Sequence, residues 1–139
     1  METRFIPSSG TWLSTLLLSC GLLSMAAPSL AATPNDLLAG YSASAGKAAD
    51  AGRGQAFFTT THGQEWSCAS CHGLRPVASG KHAGTGKVIG PLAPAFNAER
   101  FTELAKSEKW FRRNCNDVVG RECSASEKAD VLAWLMTLK

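Results

Sequence analysis

The sequence predicts an all-α fold, built from short helices that surround a loop rich in glycine and proline. Residues 33–36 (Thr-Pro-Asn-Asp) and 124–127 (Ser-Ala-Ser-Glu) each place an acid three residues after a capping hydroxyl, which is a helix-start signal. Four apolar residues near the C-terminus recur at helical spacing: Val131, Trp134, Leu135 and Leu138. No strand pattern stands out, and no segment is repeated.

The first predicted helix starts at Thr33, with proline at its first position, and ends at Gly46. Leu37, Leu38 and Tyr41 lie at helical spacing within it.

The second predicted helix runs from Asp50, its capping residue, through Phe57 and Phe58. Gly54 lies in the middle of this helix and suits a close crossing with another helix, because glycine has no side chain.

The segment between His72 and Asn97 is predicted to be an irregular wrapping loop, because eight glycines and prolines interrupt it. These are Gly73, Pro76, Gly80, Gly84, Gly86, Gly90, Pro91 and Pro94. Helical periodicity returns over residues 99–105 and again over 107–111, and the last helix starts after Ser124.

The N-terminus is typical of an export signal. Arg4 precedes an apolar run, and small residues at Ser29 and Ala31 fit a cleavage site after Ala31. Residues 1–31 are therefore predicted to be a signal peptide, and residues 32–139 one small domain. Cys20 also fits a lipoprotein signal, which is the alternative. Either interpretation puts the mature domain outside the cytoplasm, and we expect the periplasm.

The charge pattern argues against nucleic acid as a partner. The chain carries a formal net charge of +3, and its basic residues are scattered among acidic ones. Such a surface suits transient docking to another redox protein, and we expect a monomer or a weak dimer.

Residues 68–72 (Cys-Ala-Ser-Cys-His) form a C-x-x-C-H motif, which in an exported protein is the attachment site of a c-type haem. Cys68 and Cys71 are spaced to bond both vinyl groups of one porphyrin, and His72 becomes the proximal iron ligand. A zinc half-site would need a second ligand pair, which does not follow. A thioredoxin-like pair would need a surrounding βαβ pattern, which is also absent.

Together, these features resemble class I cytochromes c, in which the first and last helices cross with a glycine against an aromatic residue. Gly54 and Phe57 or Phe58 against Trp134 match that crossing. The family also has a G-P-x-L segment, matched by residues 90–92, and this implies that the Pro91 carbonyl orients His72 by accepting a hydrogen bond.

The sixth iron ligand is not decided by these residues alone. Met136 lies near the end of the last helix, where packing is its expected role, and the other methionines precede residue 31. His82 follows the haem motif and is a reserve candidate. A histidine ligand, a weak ligand and an open site all stay possible on residue chemistry.

The mature sequence is similar throughout to one unusual class I subgroup, the oxygen-binding SHP family (sphaeroides haem protein). Matching segments lie in the same order. They are residues 39–41, 50–54, 68–73, 91–94, 100–102, 108–110, 113–116, 120–123, 127–130 and 132–135. The stretch from Trp110 to Cys123 is the most specific of them.

This resemblance implies that Asn114 is the sixth ligand and that Cys115 pairs with Cys123. The number of cysteines agrees with this pairing. Cys115 and Cys123 are the two that remain once Cys68 and Cys71 hold haem and Cys20 is set aside. An amide oxygen is a weak ligand, so its loss on reduction would open ferrous haem to O₂, NO or CO. Without the resemblance, a helix C-cap is the default role for Asn114.

The resemblance implies a binding and redox protein that receives electrons from a multihaem or membrane-linked cytochrome. The alternative is a simple electron carrier in which Asn114 only adjusts the potential. An enzymatic role ranks third, because no general acid or base is identifiable near Asn114.

Overall fold

The structure is a computed structural model that describes residues 1–2, 31–63 and 65–139. Cys20 and nearly all of the expected signal peptide lie outside the described residues. Within these described ranges, five α-helices, one 3₁₀ helix and one pair of short strands follow in chain order: α1 (Pro34–Ala45), α2 (Ala51–Thr59), α3 (Cys68–His72), β1 (Gly80–Lys81), β2 (Val88–Ile89), the 3₁₀ helix (Pro94–Phe96), α4 (Leu104–Val119) and α5 (Ala125–Thr137).

Helix α1 begins and ends where its sequence predicts. The Thr33 hydroxyl accepts from the Asp36 backbone N–H at 3.2 Å, and the Asp36 carboxylate accepts from the Thr33 N–H at 2.8 Å. The helix ends at Gly46, whose φ of 65° is left-handed and therefore favours glycine.

Helices α2 and α5 cross closely at Gly54. A Cβ atom at this position would overlap the backbone carbonyl oxygen of Asp130 on α5, so only glycine permits the approach. Phe58, one turn further, packs its ring against Trp134 with centroids 4.9 Å apart. The predicted crossing is confirmed, with Phe58 as the aromatic partner and Gly54 facing the α5 backbone.

A buried carboxylate joins the start of α2 to α5. Asp130 accepts from the Asp50 backbone N–H at 2.7 Å and from Arg53 Nε and Nη2 at 2.8 and 2.9 Å. Burial alone would raise the pKa of Asp130, but these hydrogen bonds and the Arg53 charge lower it below its ordinary value.

The loop after His72 contains a short hairpin, which the sequence did not predict. Gly80 pairs with Ile89 and Lys81 with Val88 in antiparallel register. Each strand has two residues, which are too few to show the alternation of apolar and polar residues that predicts a strand.

The prediction of helix over residues 99–105 is wrong for residues 99–103 and correct only for the last two. Phe101 has a left-handed φ of 59°, which breaks any helix there, and α4 starts only at Leu104. The helix then continues to Val119 and ends at Gly120, φ 75°. Asn114 therefore lies inside α4, and the helix C-cap interpretation of Asn114 is wrong.

The core has two neighbouring clusters on α5. Phe58, Trp134 and Leu135 belong to one, and Leu37 and Leu132 to the other. Helices α1 and α2 pack extensively on α5, whereas α4 makes few close backbone contacts with the other helices. Of the helices among the described residues, none has the length and apolarity needed to cross a membrane.

Candidate haem-binding site

A cavity of about 650 Å³ lies between α3, α4 and the α2–α5 core. Phe58, Leu92, Phe111, Val131 and Leu135 form an apolar part of its wall. This volume and lining are those of a site for a large, mostly apolar cofactor.

The C-x-x-C-H motif is folded as the single-turn helix α3 at one side of this cavity. The Ser70 hydroxyl accepts from the Ser67 backbone N–H at 3.0 Å, which fixes the start of the turn. Gly73 ends it with φ 79°, and its N–H donates to the Ala69 carbonyl at 2.8 Å. Cys68, Cys71 and His72 all line the cavity.

Burial shifts the pKa of two side chains of the motif, Cys68 and His72. Cys68 and Cys71 are not joined to each other. Burial raises the pKa of the Cys68 thiol to about 11. Burial, and after it the positive charge of Arg100, lowers the pKa of His72 to about 4, so its imidazole is neutral and can donate a lone pair.

The unpredicted hairpin packs against the motif. The Ala83 backbone N–H donates to Cys71 Sγ at 3.2 Å. Gly80 lies so close to the Cys71 carbonyl that a Cβ atom would overlap it. The hairpin therefore fixes the second cysteine of the motif in position.

The Gly90–Leu92 segment lies at the cavity wall, held by two sets of hydrogen bonds. The Leu92 and Ala93 backbone N–H groups donate to the buried Pro76 carbonyl at 3.0 and 3.1 Å. The Pro91 carbonyl accepts from Arg100 Nε at 3.0 Å and from Asn97 Nδ2 at 3.3 Å. The bond expected from His72 to Pro91 is not among the hydrogen bonds of the described residues, and Arg100 and Asn97 were not predicted to take part.

Helix α4 presents one face to the cavity. The residues that line it extend over about half of the helix circumference, and Lys106, Ser107, Trp110 and Asn114 are among them. Trp110 is 43% exposed, and the Arg113 guanidinium lies 5.8 Å from its ring centroid. Trp110 lies one helical turn before Asn114 in α4. This i, i+4 spacing is visible in the sequence, but no role was predicted for Trp110.

Cys115, next to Asn114, is joined to Cys123 by a disulfide, with Cα atoms 5.6 Å apart. Both cysteines are buried. The bond links α4 to the turn before α5, one residue from Asn114.

The competing candidates for the sixth ligand lie in different places. Met136 packs on the cluster around Leu37 and is not among the residues that line the cavity. His82 does line it, and its Nδ1 accepts from the Thr85 N–H at 3.2 Å. His62 Nε2 donates to the Phe57 carbonyl at 2.6 Å, so its role is local.

Comparison with known proteins identifies two relatives. The chain is 50% identical over 117 residues, 80% of its length and 90% of the relative's, to the cytochrome c-type protein SHP of Cereibacter sphaeroides. The solved structure of oxidised SHP, described as an oxygen-binding cytochrome c, matches with a TM-score of 0.73 and 49% identity, covering 77% of this chain and 98% of SHP.

The second relative is cytochrome c″ of Methylophilus methylotrophus, 50% identical over 80 residues, which are 58% of this chain and 56% of that protein. Its oxidised crystal structure matches with a TM-score of 0.65 and 40% identity, over 76% of this chain and 94% of the other. Residues 44–135 also match a family described as "Domain of unknown function (DUF1924)".

Fold, cavity and relatives together define a class I cytochrome c, whose cofactor is one covalently attached haem c. The apolar cavity, the two thiols and the neutral imidazole fit that group. Within this class, the chain belongs to the SHP family.

Proposed function

We propose that this protein is a periplasmic monohaem cytochrome c that binds O₂, NO or CO at ferrous haem and exchanges one electron at a time with a redox partner. Residues 32–139 form the mature domain, and residues 1–31 are a signal peptide removed on export. Haem supplies the redox-active iron and, when reduced, the position at which a diatomic ligand binds.

In this proposal, Cys68 and Cys71 hold haem through thioether bonds and His72 is its proximal ligand. All three line one cavity from a single turn of helix. Pro91 is the acceptor that orients the His72 ring, as the Gly-Pro-Leu resemblance implies.

The observation that carries the gas-binding proposal is Asn114 on the cavity face of α4. Asn114 is an exposed residue at the wall of a cavity that no described methionine lines, and an amide oxygen is a neutral, weak ligand. The relative SHP is described as an oxygen-binding cytochrome c, which supports the same interpretation.

The experiment is the absorption spectrum of the full holoprotein, oxidised and reduced, followed by mixing of the ferrous form with CO. We expect a high-spin ferrous spectrum and rapid CO uptake without a slow ligand-dissociation phase. A low-spin ferrous spectrum and no reaction with CO would contradict the proposal, and would favour a strong ligand such as His82 and a simple electron carrier.

The electron donor in this proposal is a multihaem or membrane-linked cytochrome, and the protein is a monomer or weak dimer. Attachment to a membrane through a lipidated Cys20 is the alternative location. Mass spectrometry of the mature protein decides it, since cleavage after Ala31 gives an N-terminus at Ala32.

A further inference from the structure

The net charge of the chain is concentrated in one segment, residues 66–98. Of the 14 Lys and Arg residues, three lie there, Arg75, Lys81 and Lys87, and the segment contains no Asp or Glu. The other 11 basic residues are scattered among the 11 acidic residues of the chain and balance them. The formal net charge of +3 is therefore carried by residues 66–98, and two of its three cations, Lys81 and Lys87, lie in the hairpin of β1 and β2.

The two faces of this hairpin differ in character. Lys81 and Val88 are cross-strand partners, so their side chains lie on the same face. Both are exposed, and Val88 keeps 64% of its surface in contact with solvent. Gly80 and Ile89 form the other pair, and both are half-buried, with Ile89 at the cavity wall. The outer face of the hairpin thus places an apolar side chain beside a positive charge.

Lys81, Lys87 and Val88, which we call the hairpin surface, lie outside the haem site. None of the three lines the cavity, so haem in the cavity would leave them exposed. Among the described residues, no Asp or Glu oxygen lies within 4.0 Å of either lysine. The resemblance to the SHP family assigns the hairpin no role, since the matching segments stop at residue 73 and resume at residue 91.

The hairpin also contacts the turn that carries haem in the proposed function. The Ala83 backbone N–H donates to Cys71 Sγ at 3.2 Å, and Gly80 is packed against the Cys71 carbonyl. A thioether sulfur still accepts a weak hydrogen bond, so the Ala83 contact is compatible with haem attached to Cys71. The hairpin backbone therefore gives a short connection between the hairpin surface and the point of haem attachment.

We propose that the hairpin surface is the docking site for an electron-donor protein whose own surface is acidic. The inference rests on the proposed function, because it needs haem on Cys71 and a redox partner. Opposite charges speed the encounter and orient the partner, whereas a small contact around one apolar residue gives a complex that dissociates readily. In the docked complex the donor loses one electron and ferric haem gains it, with no bond formed or broken and no proton transferred.

The test measures the rate at which flavodoxin hydroquinone, an acidic protein that donates one electron, reduces the ferric holoprotein at several salt concentrations. The double variant Lys81→Gln, Lys87→Gln removes both charges of the hairpin surface, and Val88→Asp places an acid beside Lys81. The matched control is Lys109→Gln, Lys139→Gln, because these two lysines are also exposed and do not line the cavity, while the lost charge is the same.

At low ionic strength, we expect the second-order rate constant to fall about tenfold in each hairpin variant and less than twofold in the control. These differences should shrink in 1 M salt, where the Debye length is about 3 Å. In NMR spectra of the wild-type holoprotein, oxidised flavodoxin should shift the amide signals of residues 80–89 more than those of α4. The ferric absorption spectra of all variants should equal that of wild type, since these side chains do not line the cavity.

Equal losses of rate in the hairpin and control double variants would show that only the net charge matters, and would overturn the proposal. Binding to phosphatidylglycerol vesicles that both hairpin variants lose, together with an unchanged rate of reduction by flavodoxin, would make the hairpin surface a membrane contact and would also refute it. The outcome is separable from gas binding. A ferrous protein that ignores CO would contradict the proposed function, whereas the salt-dependent loss of rate in the hairpin variants would still support docking.

Discussion

Asn114, the proposed sixth ligand of the iron, and His82, the reserve candidate, both line the cavity. Asn114 lies inside a four-turn helix, one residue from a disulfide, whereas His82 lies in the turn of a two-residue hairpin. His82 Nδ1 also accepts a backbone hydrogen bond from Thr85. Asn114 is therefore held by regular structure, and His82 already has a local role.

Substitution at these two residues separates them. Asn114→Ala should change the ferric absorption spectrum and leave CO binding to the ferrous protein nearly intact, because an amide that has left the iron cannot hinder uptake. Asn114→His should slow or block CO binding, since imidazole is a stronger ligand. His82→Ala is the control and should change neither spectrum. A ferric spectrum altered by His82→Ala and unaffected by Asn114→Ala would reverse the assignment.

Part of this site was predictable at the level of single residues. The C-x-x-C-H spacing encodes its own chemistry, because both thiols and the imidazole belong to one turn. Arg100 and Asn97 were not predictable, because their contacts to Pro91 depend on how a left-handed Phe101 redirects the chain between the 3₁₀ helix and α4. A bulky residue with positive φ has no sequence signature.

Among the elements, the crossing of α2 and α5 determines the position of Phe58 and hence of the cavity wall. Gly54→Ala should destabilise the holoprotein by about 3 kcal/mol or more, because the added methyl group meets the backbone of Asp130 and not a movable side chain. Gly40→Ala is the matched control, since Gly40 is exposed in α1 and its Cβ would meet nothing within 4 Å. It should stabilise the protein by about 0.5–1 kcal/mol. Chemical denaturation measures both, and equal effects would exclude a tight crossing.

The turn from α4 to α5 is held by Glu127. Its carboxylate accepts from Arg121 Nη2 at 2.6 Å and from the Ser124 N–H at 2.8 Å. The hydrogen bond from Arg121 is the main cause that lowers the pKa of Glu127 to about 2. Because the folded-state pKa lies below the ordinary value of 4.5, this stabilisation is complete above pH 4.5 and is lost as the pH falls toward 2.

Glu127→Gln should therefore lower the free energy of unfolding at pH 7 by about 1–2 kcal/mol. This is less than the free energy that corresponds to the full shift of the Glu127 pKa, because Arg121 is half exposed and solvent screens the pair. The difference from wild type should shrink between pH 4.5 and pH 2. Thermal unfolding at several pH values measures it, with Glu122→Gln, an exposed acid in the same turn, as the control. A difference that stays constant with pH would show that Glu127 acts by packing and not by its charge.

The helices differ in how well the sequence predicted them, for a physical reason. Helices α1, α2 and α5 have side-chain caps at Thr33, Asp50 and Ser124, and these signals are local. Helix α4 starts at Leu104, and its N-cap residue, Glu103, makes no side-chain capping bond, so the start of α4 depends on the preceding turn. The sequence therefore does not predict how long α4 is or which of its sides faces the cavity, because both depend on the surrounding folded chain.

At the scale of the whole molecule, α1, α2 and α5 form one packed unit, and α4 is joined to it at a few points. Lys128 of α5 donates to Glu108 of α4 at 2.7 Å. The ring of Phe111 meets Tyr41 edge-on, with centroids 5.8 Å apart. The Cys115–Cys123 bond is the covalent attachment. Helix α4, which carries Asn114, thus has fewer close backbone contacts with α5 than α1 or α2 has.

This arrangement predicts that the disulfide controls how fast the iron becomes accessible. Thiol labelling of the denatured, unreduced holoprotein should first find no reactive thiol at Cys115 or Cys123, and two labelled sites would contradict the bond in the native protein. The double variant Cys115→Ala, Cys123→Ala should then lose about 2–3 kcal/mol of stability, as expected for a short closed loop.

In the same double variant, CO should associate with the ferrous protein faster than in wild type, because α4 is less restrained beside Asn114. Lys128→Met is the control, since it removes the Lys128–Glu108 ion pair between α5 and α4 and leaves the disulfide in place. If both variants lose stability and only the disulfide variant binds CO faster, the bond restrains the Asn114 segment specifically. Flash-photolysis rates identical in all three proteins would reduce Cys115–Cys123 to a structural cross-link, with gas binding determined by Asn114 alone.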